Sequence, residues 1–215
     1  MANVSIWSGV GVAIESARGT AQPLATPFIT QAATGVLTST GTTLANGDYY
    51  LLQTTGMGQV NNRVFRAANK STNTVDLEGE ITTNYDACTA GNAYKVTFGT
   101  SISTLVSVSA TGGDFDMIPT TTIHDLYKSQ IPGQSSAKVF TFDSIWDVAD
   151  AGLKALATAS ANKTQLCVKL AFANGQKLVF SGYVGADLSP GGNAGEKVTT
   201  PVVITAYGRP TAYAT

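Results

Sequence analysis

Reactive capacity in this chain rests on few side chains. His124 is the sole histidine, and a Ser–His–carboxylate nucleophile is the one catalytic arrangement it could complete, if a serine and a carboxylate met it in space. No G-x-S-x-G elbow exists to supply that serine, and a single histidine without a second histidine or paired cysteines does not anchor an ordinary zinc site. The run GVGVAIE, Gly9 to Glu15, lacks the third glycine, the lysine and the following helix of a phosphate loop, so it reads as a twisted or bulged strand. An enzyme, a metal or a cofactor is therefore not expected. What remains is charge. Asp114 and Asp116 alternate with Phe115 and Met117 along DFDM, and Asp143 shares a strand face with Val139 and Thr141, opposite Phe140 and Phe142. Each aspartate alone suits a solvated strand face; together, on strands flanking a long loop, they are expected to line one negative surface.

The elements that would position these residues are β-strands. The 215 residues are 43% hydrophobic and only 13% charged, with 22 glycines and a Thr/Ser/Ala-rich texture that favours short strands joined by turns. Little charge must be desolvated when such a surface meets other protein copies. Lys plus Arg total 13 against 14 Asp plus Glu, with no basic run, which argues against a tight nucleic-acid binder. Cys88 and Cys167 lie far apart in apolar contexts and are expected to be free thiols. No basic leader with an apolar segment opens the chain, so neither a signal peptide nor a membrane span is expected.

Residues Val4 to Ser16 read as a strand or extended arm, followed by a linker punctuated by Gly19, Pro23 and Pro27. Five strand candidates follow between residues 28 and 98: GVLTST, DYYLLQT, NRVFRAA, TVDLEG and AYKVTF, a compact all-β module. In SISTLVSVSA, Ile102, Leu105 and Val106 compete for the core. Residues 118–136 form a long loop that carries Ile123, Leu126, Tyr127 and Ile131, apolar side chains that want a surface to cover. A helix is expected over 147–160 with Asp147 as N-cap, Asp150 in its first turn, and Val148, Leu153 and Leu156 as its apolar stripe. Asn174-Gly175 marks a tight hairpin. The last strand, Lys197 to Tyr207, contains Pro201, which predicts a sheet edge or a bulge; Val202, Val203, Ile204 and Tyr207 would then form an edge completed by a neighbouring copy.

The ordered set from SISTLVSVSATGGDFDM, through the long loop, VFTFDSIW with Trp146, the helix, KLAFANGQKLVFSGYV and a last strand closing in Gly208-Arg209-Pro210, resembles the tail tube proteins of long-tailed, non-contractile phages, the lambda-type family. The likeness covers about residues 100–215 plus the first strand. The block from Thr34 to Val96 is similar to a small β module of phage virion proteins, with Gly47-Asp48, Gly56-Met57, Asn61-Asn62-Arg63, Phe65, TVDLEG, Tyr85 and Thr89 as its signposts; Asn62 and Asn92 stand where that module commonly has glycine.

The resemblance implies a mainly β protein, a β-sandwich with one flanking helix. It divides into an N-terminal strand and linker (1–26), an inserted module on the outer wall (27–98) and the tube domain (99–215). It further implies six subunits per ring, rings stacked into a tube, and inner-sheet strands joined between subunits around a lumen. The 118–136 loop would reach the adjacent ring through Pro119, Ile123, His124, Leu126, Tyr127 and Ile131. Asp114, Asp116 and Asp143 would face a lumen that passes double-stranded DNA without holding it, with Lys163, Lys169 and Lys177 turned away or paired. Implied partners are further copies of the chain, a tape measure protein, and tail tip and terminator proteins; the setting is a virion tail assembled in a bacterial cytoplasm. Two other readings stay open. In one, the 28–98 block recognises glycans or a host surface through Tyr49, Tyr50 and Tyr85. In the other, the chain is a head decoration or tail-terminator protein.

Overall fold

A computed structural model describes residues 7–214. The chain is mainly β. Its first strands are β1 (Gly11–Arg18), β2 (Gln22–Pro23), β3 (Val36–Thr38), β4 (Tyr49–Thr55), β5 (Val64–Ala68), β6 (Thr74–Leu77) and β7 (Ala90–Ser101). There follow β8 (Leu105–Thr111), β9 (Phe115–Pro119), β10 (Gln130–Ser135) and β11 (Val139–Ile145), then α1 (Ala151–Ala161), β12 (Gln165–Ala171), β13 (Lys177–Gly185), β14 (Thr199–Ala206) and β15 (Thr211–Tyr213). All five strands expected between residues 28 and 98 form. The first strand starts at Gly11, and the part of that expectation on residues 4–6 lies outside the described residues.

One antiparallel path runs β3-β6-β5-β4-β7-β1-β12-β13-β14-β11-β8, with β2 joined to β7 and β15 to β13. The long β7 is the spine between two halves: its first residues pair with β4 and its last with β1. Each half has its own core. Leu37, Leu44, Tyr50, Leu52, Phe65 and Leu77 fill the first. In the second, Phe140, Phe142, Phe180, Val202 and Ile204 pack against Leu153, Leu156 and Ala159 of α1. The Phe140 and Phe180 rings stack at 4.2 Å, an arrangement worth about 0.5–1.5 kcal/mol beyond the area it buries. A third cluster of Leu51, Val64, Val96, Cys167, Val179 and Tyr213 joins the opposite face of β4, β5 and β7 to β12 and β13. Cys88 and Cys167 are free and buried; burial pushes the Cys167 thiol well above its ordinary range, with Glu15 adding to the effect.

Three expectations are corrected. The helix starts later than 147–160: Asp150 is its N-cap, accepting the Leu153 N–H at 2.9 Å and the Ser103 hydroxyl at 2.7 Å. Asp147 instead accepts the Ala149 N–H in the preceding turn, and Val148 lies outside the helix, exposed.

The segment 118–136 is not a structureless loop. β9 and β10 pair as a two-stranded ribbon, with Ile131 opposite Ile118 and Pro132 opposite Met117. The ribbon continues the β8–β11 hairpin past a corner at Gly112 and Gly113, whose φ values are +81° and +91°. A Cβ on Gly112 would stand 2.2 Å from the Ala137 carbonyl oxygen, so only glycine fits this turn.

The last long strand is not an edge. β14 lies between β13 and β11, so Val202, Val203 and Ile204 are already flanked within the chain, and Tyr207 follows at its end. The bonds Trp146 N–H to Val198 and Ala206 N–H to Lys138 put Pro201 at a non-hydrogen-bonded position opposite Asp143. On the other side β13 stops at Gly185, opposite Val203. The missing proline N–H therefore breaks no ladder bond, which is why an interior strand tolerates it.

Candidate assembly surfaces

The free edge of the large sheet in this half is β8. Among the described residues it pairs with β11 alone. The even-numbered residues of β11 bond to β14, so its odd ones bond to Ser107, Ser109 and Thr111 of β8. That leaves the N–H and C=O groups of Val108 and Ala110 pointing outward, without a partner among the described residues. Sequence reasoning missed this edge because Pro201 drew it to β14; Leu105–Thr111 carries no proline or charge to mark it.

The ribbon is apolar where it should be wet. Ile123, Leu126 and Tyr127 are 95%, 86% and 81% exposed, and Phe115, Met117, Ile118 and Ile131 are also exposed. The tip is ordered by polar bonds instead: the Asp125 carboxylate accepts the Thr122 N–H at 2.7 Å, and the Thr120 and Ser129 hydroxyls meet at 2.9 Å. Pro119 ends β9, and His124 sits exposed in the tip. Single exposed apolar residues need no explanation, but a contiguous ribbon of them on a slender support marks an interaction surface.

Of the three aspartates, two lie on different strands and one at the corner between the hairpin and the ribbon. Asp143 lies on β11 and accepts the Ser107 hydroxyl at 2.7 Å. Cross-strand register puts it on one face with Ser107, Ser109, Thr141, Val203 and Thr205, the face opposite Phe140 and Phe142; no lysine or arginine of β8, β11 or β14 lies there. Asp114 sits at the corner, its carbonyl accepting the Ser136 N–H, and Asp116 lies exposed on the ribbon. Of the lysines, Lys169 stacks its ammonium 5.3 and 5.0 Å from the rings of Tyr49 and Phe98; burial, then Lys177, lowers its pKa.

Tyr49, Tyr50 and Tyr85 do not form a sugar platform. Tyr50 is fully buried, Tyr49 packs on Phe98 and Tyr213, and the Tyr85 hydroxyl donates to Glu80. Sequence reading also missed how the two halves are locked. Arg63 donates to both Glu80 oxygens, to the Arg209 carbonyl at 3.2 Å and to the Thr211 hydroxyl at 3.4 Å. The Tyr213 hydroxyl accepts the Arg66 N–H, while the Ser181 hydroxyl donates to the carbonyls of Asn62 and Tyr207. Gly208-Arg209-Pro210 thus serves as the bend that returns the chain to pair β15 with β13.

A mainly β chain with a flanking helix, an open sheet edge and an apolar ribbon has the features of a self-associating structural protein. The model of a family described as phage tail tube protein matches residues 55–215, and the chain belongs to that family of structural virion proteins. The match begins within the block read from the sequence as an insertion. A solved structure titled "Tail of empty GTA particle computed with helical refinement, C6 symmetry" is similar at 9% identity and a TM-score of 0.41, over 54% of this chain and 86% of that one. No curated protein matches. Among the described residues, no helix is long and apolar enough to cross a membrane.

Proposed function

We propose that this chain is the repeating subunit of a non-contractile tail tube, six copies to a ring and rings stacked into a conduit for double-stranded DNA during ejection. The observation that carries this reading is the single hairpin that holds both an edge with no second partner among the described residues, β8, and an apolar ribbon, β9–β10. The edge joins subunits within a ring, so the role first given to Val202, Val203, Ile204 and Tyr207 passes to Leu105–Thr111. Ring closure then requires a different patch on the neighbour as its complement. The ribbon, with Pro119, Ile123, His124, Leu126, Tyr127 and Ile131, reaches the adjacent ring and buries its apolar side chains there.

The face carrying Asp143 lines the bore. Carboxylates repeated around each ring repel phosphate, and a face whose β8, β11 and β14 strands carry no lysine or arginine cannot displace the counterions condensed on DNA, the step that drives tight binding. Asp114 and Asp116, at the root of the ribbon, add to this field where successive rings meet. Residues 27–98 form the module on the outer wall, joined to the tube domain of residues 99–215 and the first strand. A tape measure protein in the lumen, and tip and terminator proteins at the two ends, complete the partners; assembly takes place in the bacterial cytoplasm.

Negative-stain microscopy of the concentrated, purified protein tests the reading. Hollow tubes or six-fold rings support it, and a persistent monomer at high concentration refutes it.

A further inference from the structure

The junction between the two halves holds a cleft unlike the rest of the surface. Its volume is about 510 Å³, and its walls are Gln53, Thr54 and Thr55 of β4, Asn61 and Asn62, Ala90 to Asn92 of β7, Gln165, and the rings of Tyr183 and Tyr207. No charged residue lines it. Gln53 and Asn92 are cross-strand partners, so their amides stand side by side on one face, and neither has a side-chain hydrogen bond among the described residues. Tyr183 and Tyr207 are 45% and 49% exposed and meet edge to face with centroids 5.5 Å apart.

We propose that this cleft binds a neutral oligosaccharide. Sugar hydroxyls are at once donors and acceptors, and a primary amide is the side chain that offers both functions without charge. Two free amides at one cross-strand position can therefore grip adjacent hydroxyls, with bridging water filling the wider gaps. The electron-rich face of a tyrosine ring attracts the polarised C–H groups of a pyranose, and an exposed pair at an angle suits two sugar units at a bend. A cleft of this volume falls within the range of small-ligand sites. The absence of cations in the lining excludes uronic and sialic acids as the preferred class, and the absence of a broad apolar wall excludes lipids. Block residues supply most of its lining and neither β8 nor the ribbon contributes to it; Tyr183, opposite Thr205, continues the sheet face that carries Asp143.

Saturation-transfer NMR on the full chain tests the assignment, with maltotriose, mannotriose, chitotriose and lactose as neutral probes and trigalacturonate as the acidic one. Transfer to at least one neutral probe is expected, with loss of that signal in Tyr183→Ala and in the Gln53→Ala/Asn92→Ala double variant. Unchanged thermal midpoints establish that those variants fold; Tyr207→Ala replaces Tyr183→Ala if the latter does not. No transfer to any neutral probe, transfer that survives both variants, or equal transfer to trigalacturonate overturns the proposal.

Discussion

Arg63 and Glu80 form a buried two-point ion pair, Nη1 to Oε1 at 2.5 Å and Nη2 to Oε2 at 2.9 Å, and the same guanidinium reaches across to the C-terminal segment. Its carbon also lies 4.7 Å from the centre of the Phe65 ring. Every oxygen and most donors in this cluster are satisfied, and that completeness is what makes a buried pair tolerable.

Removing one partner strands the other. Arg63→Ala is expected to cost about 3–5 kcal/mol, because Glu80 would stay buried with only the Tyr85 hydroxyl for company. An apolar double replacement, Arg63→Met with Glu80→Leu, should cost less than the sum of the single changes. Urea midpoints read both; a single-variant loss below about 1 kcal/mol argues against the clamp.

Acid should loosen the same contact. Burial pushes the Glu80 carboxyl up, but the bonds from Arg63 and Tyr85 together with the Arg63 charge outweigh it, leaving a net value below the ordinary 4.5. A lowered folded pKa means the unfolded chain takes up the proton first. The stability is therefore fully present above about pH 4.5 and is lost as pH falls through the depressed folded value. Glu80→Gln should flatten this part of a stability-against-pH curve; an unchanged slope would remove Glu80 as its source.

Replacing Ile123, Leu126 and Tyr127 together by serine should leave the thermal midpoint of the unassembled chain within the small range of surface substitutions, since none of the three packs against the fold. Tubes should vanish. If they persist, the ribbon tip is not the axial contact.

Proline scanning of β8 separates its two hydrogen-bonding sides. Ala110→Pro removes an outward N–H and no ladder bond, so it should spare the monomer and block ring formation. Ser109→Pro removes a bond to β11 and should destabilise the monomer itself. Rings formed normally by Ala110→Pro would show that β8 is not the joined edge.

Asp143→Lys reverses charge on the proposed bore without touching the core. Tubes should form, and particles carrying them should lose infectivity because the ammonium holds phosphate; full infectivity would take Asp143 off the wall.

Local pattern carried much of this architecture. The alternation in DYYLLQT and TVDLEG, and the Asn174-Gly175 turn, depend on neighbours in sequence, so they could be read there. Partner identity could not. Pro201 says only that one N–H is missing, and whether that matters depends on where β13 happens to stop. The helix start was misjudged because Asp147 and Asp150 are equally good caps in sequence, and Ser103, distant along the chain, helps to select the second. The Arg63 clamp and the tyrosine cleft join residues more than a hundred positions apart, and no periodicity reports such meetings.

The corner at Gly112 and Gly113 has a mechanical meaning. Because the hairpin β8–β11 carries the ribbon β9–β10 directly beyond this corner, a subunit assembled as proposed has its sideways seam and its lengthwise grip made from the same length of chain. Strain on a curving tail would then converge on this corner, where Gly112 and Gly113 pack against Ser136, Ala137 and Lys138 of the returning chain.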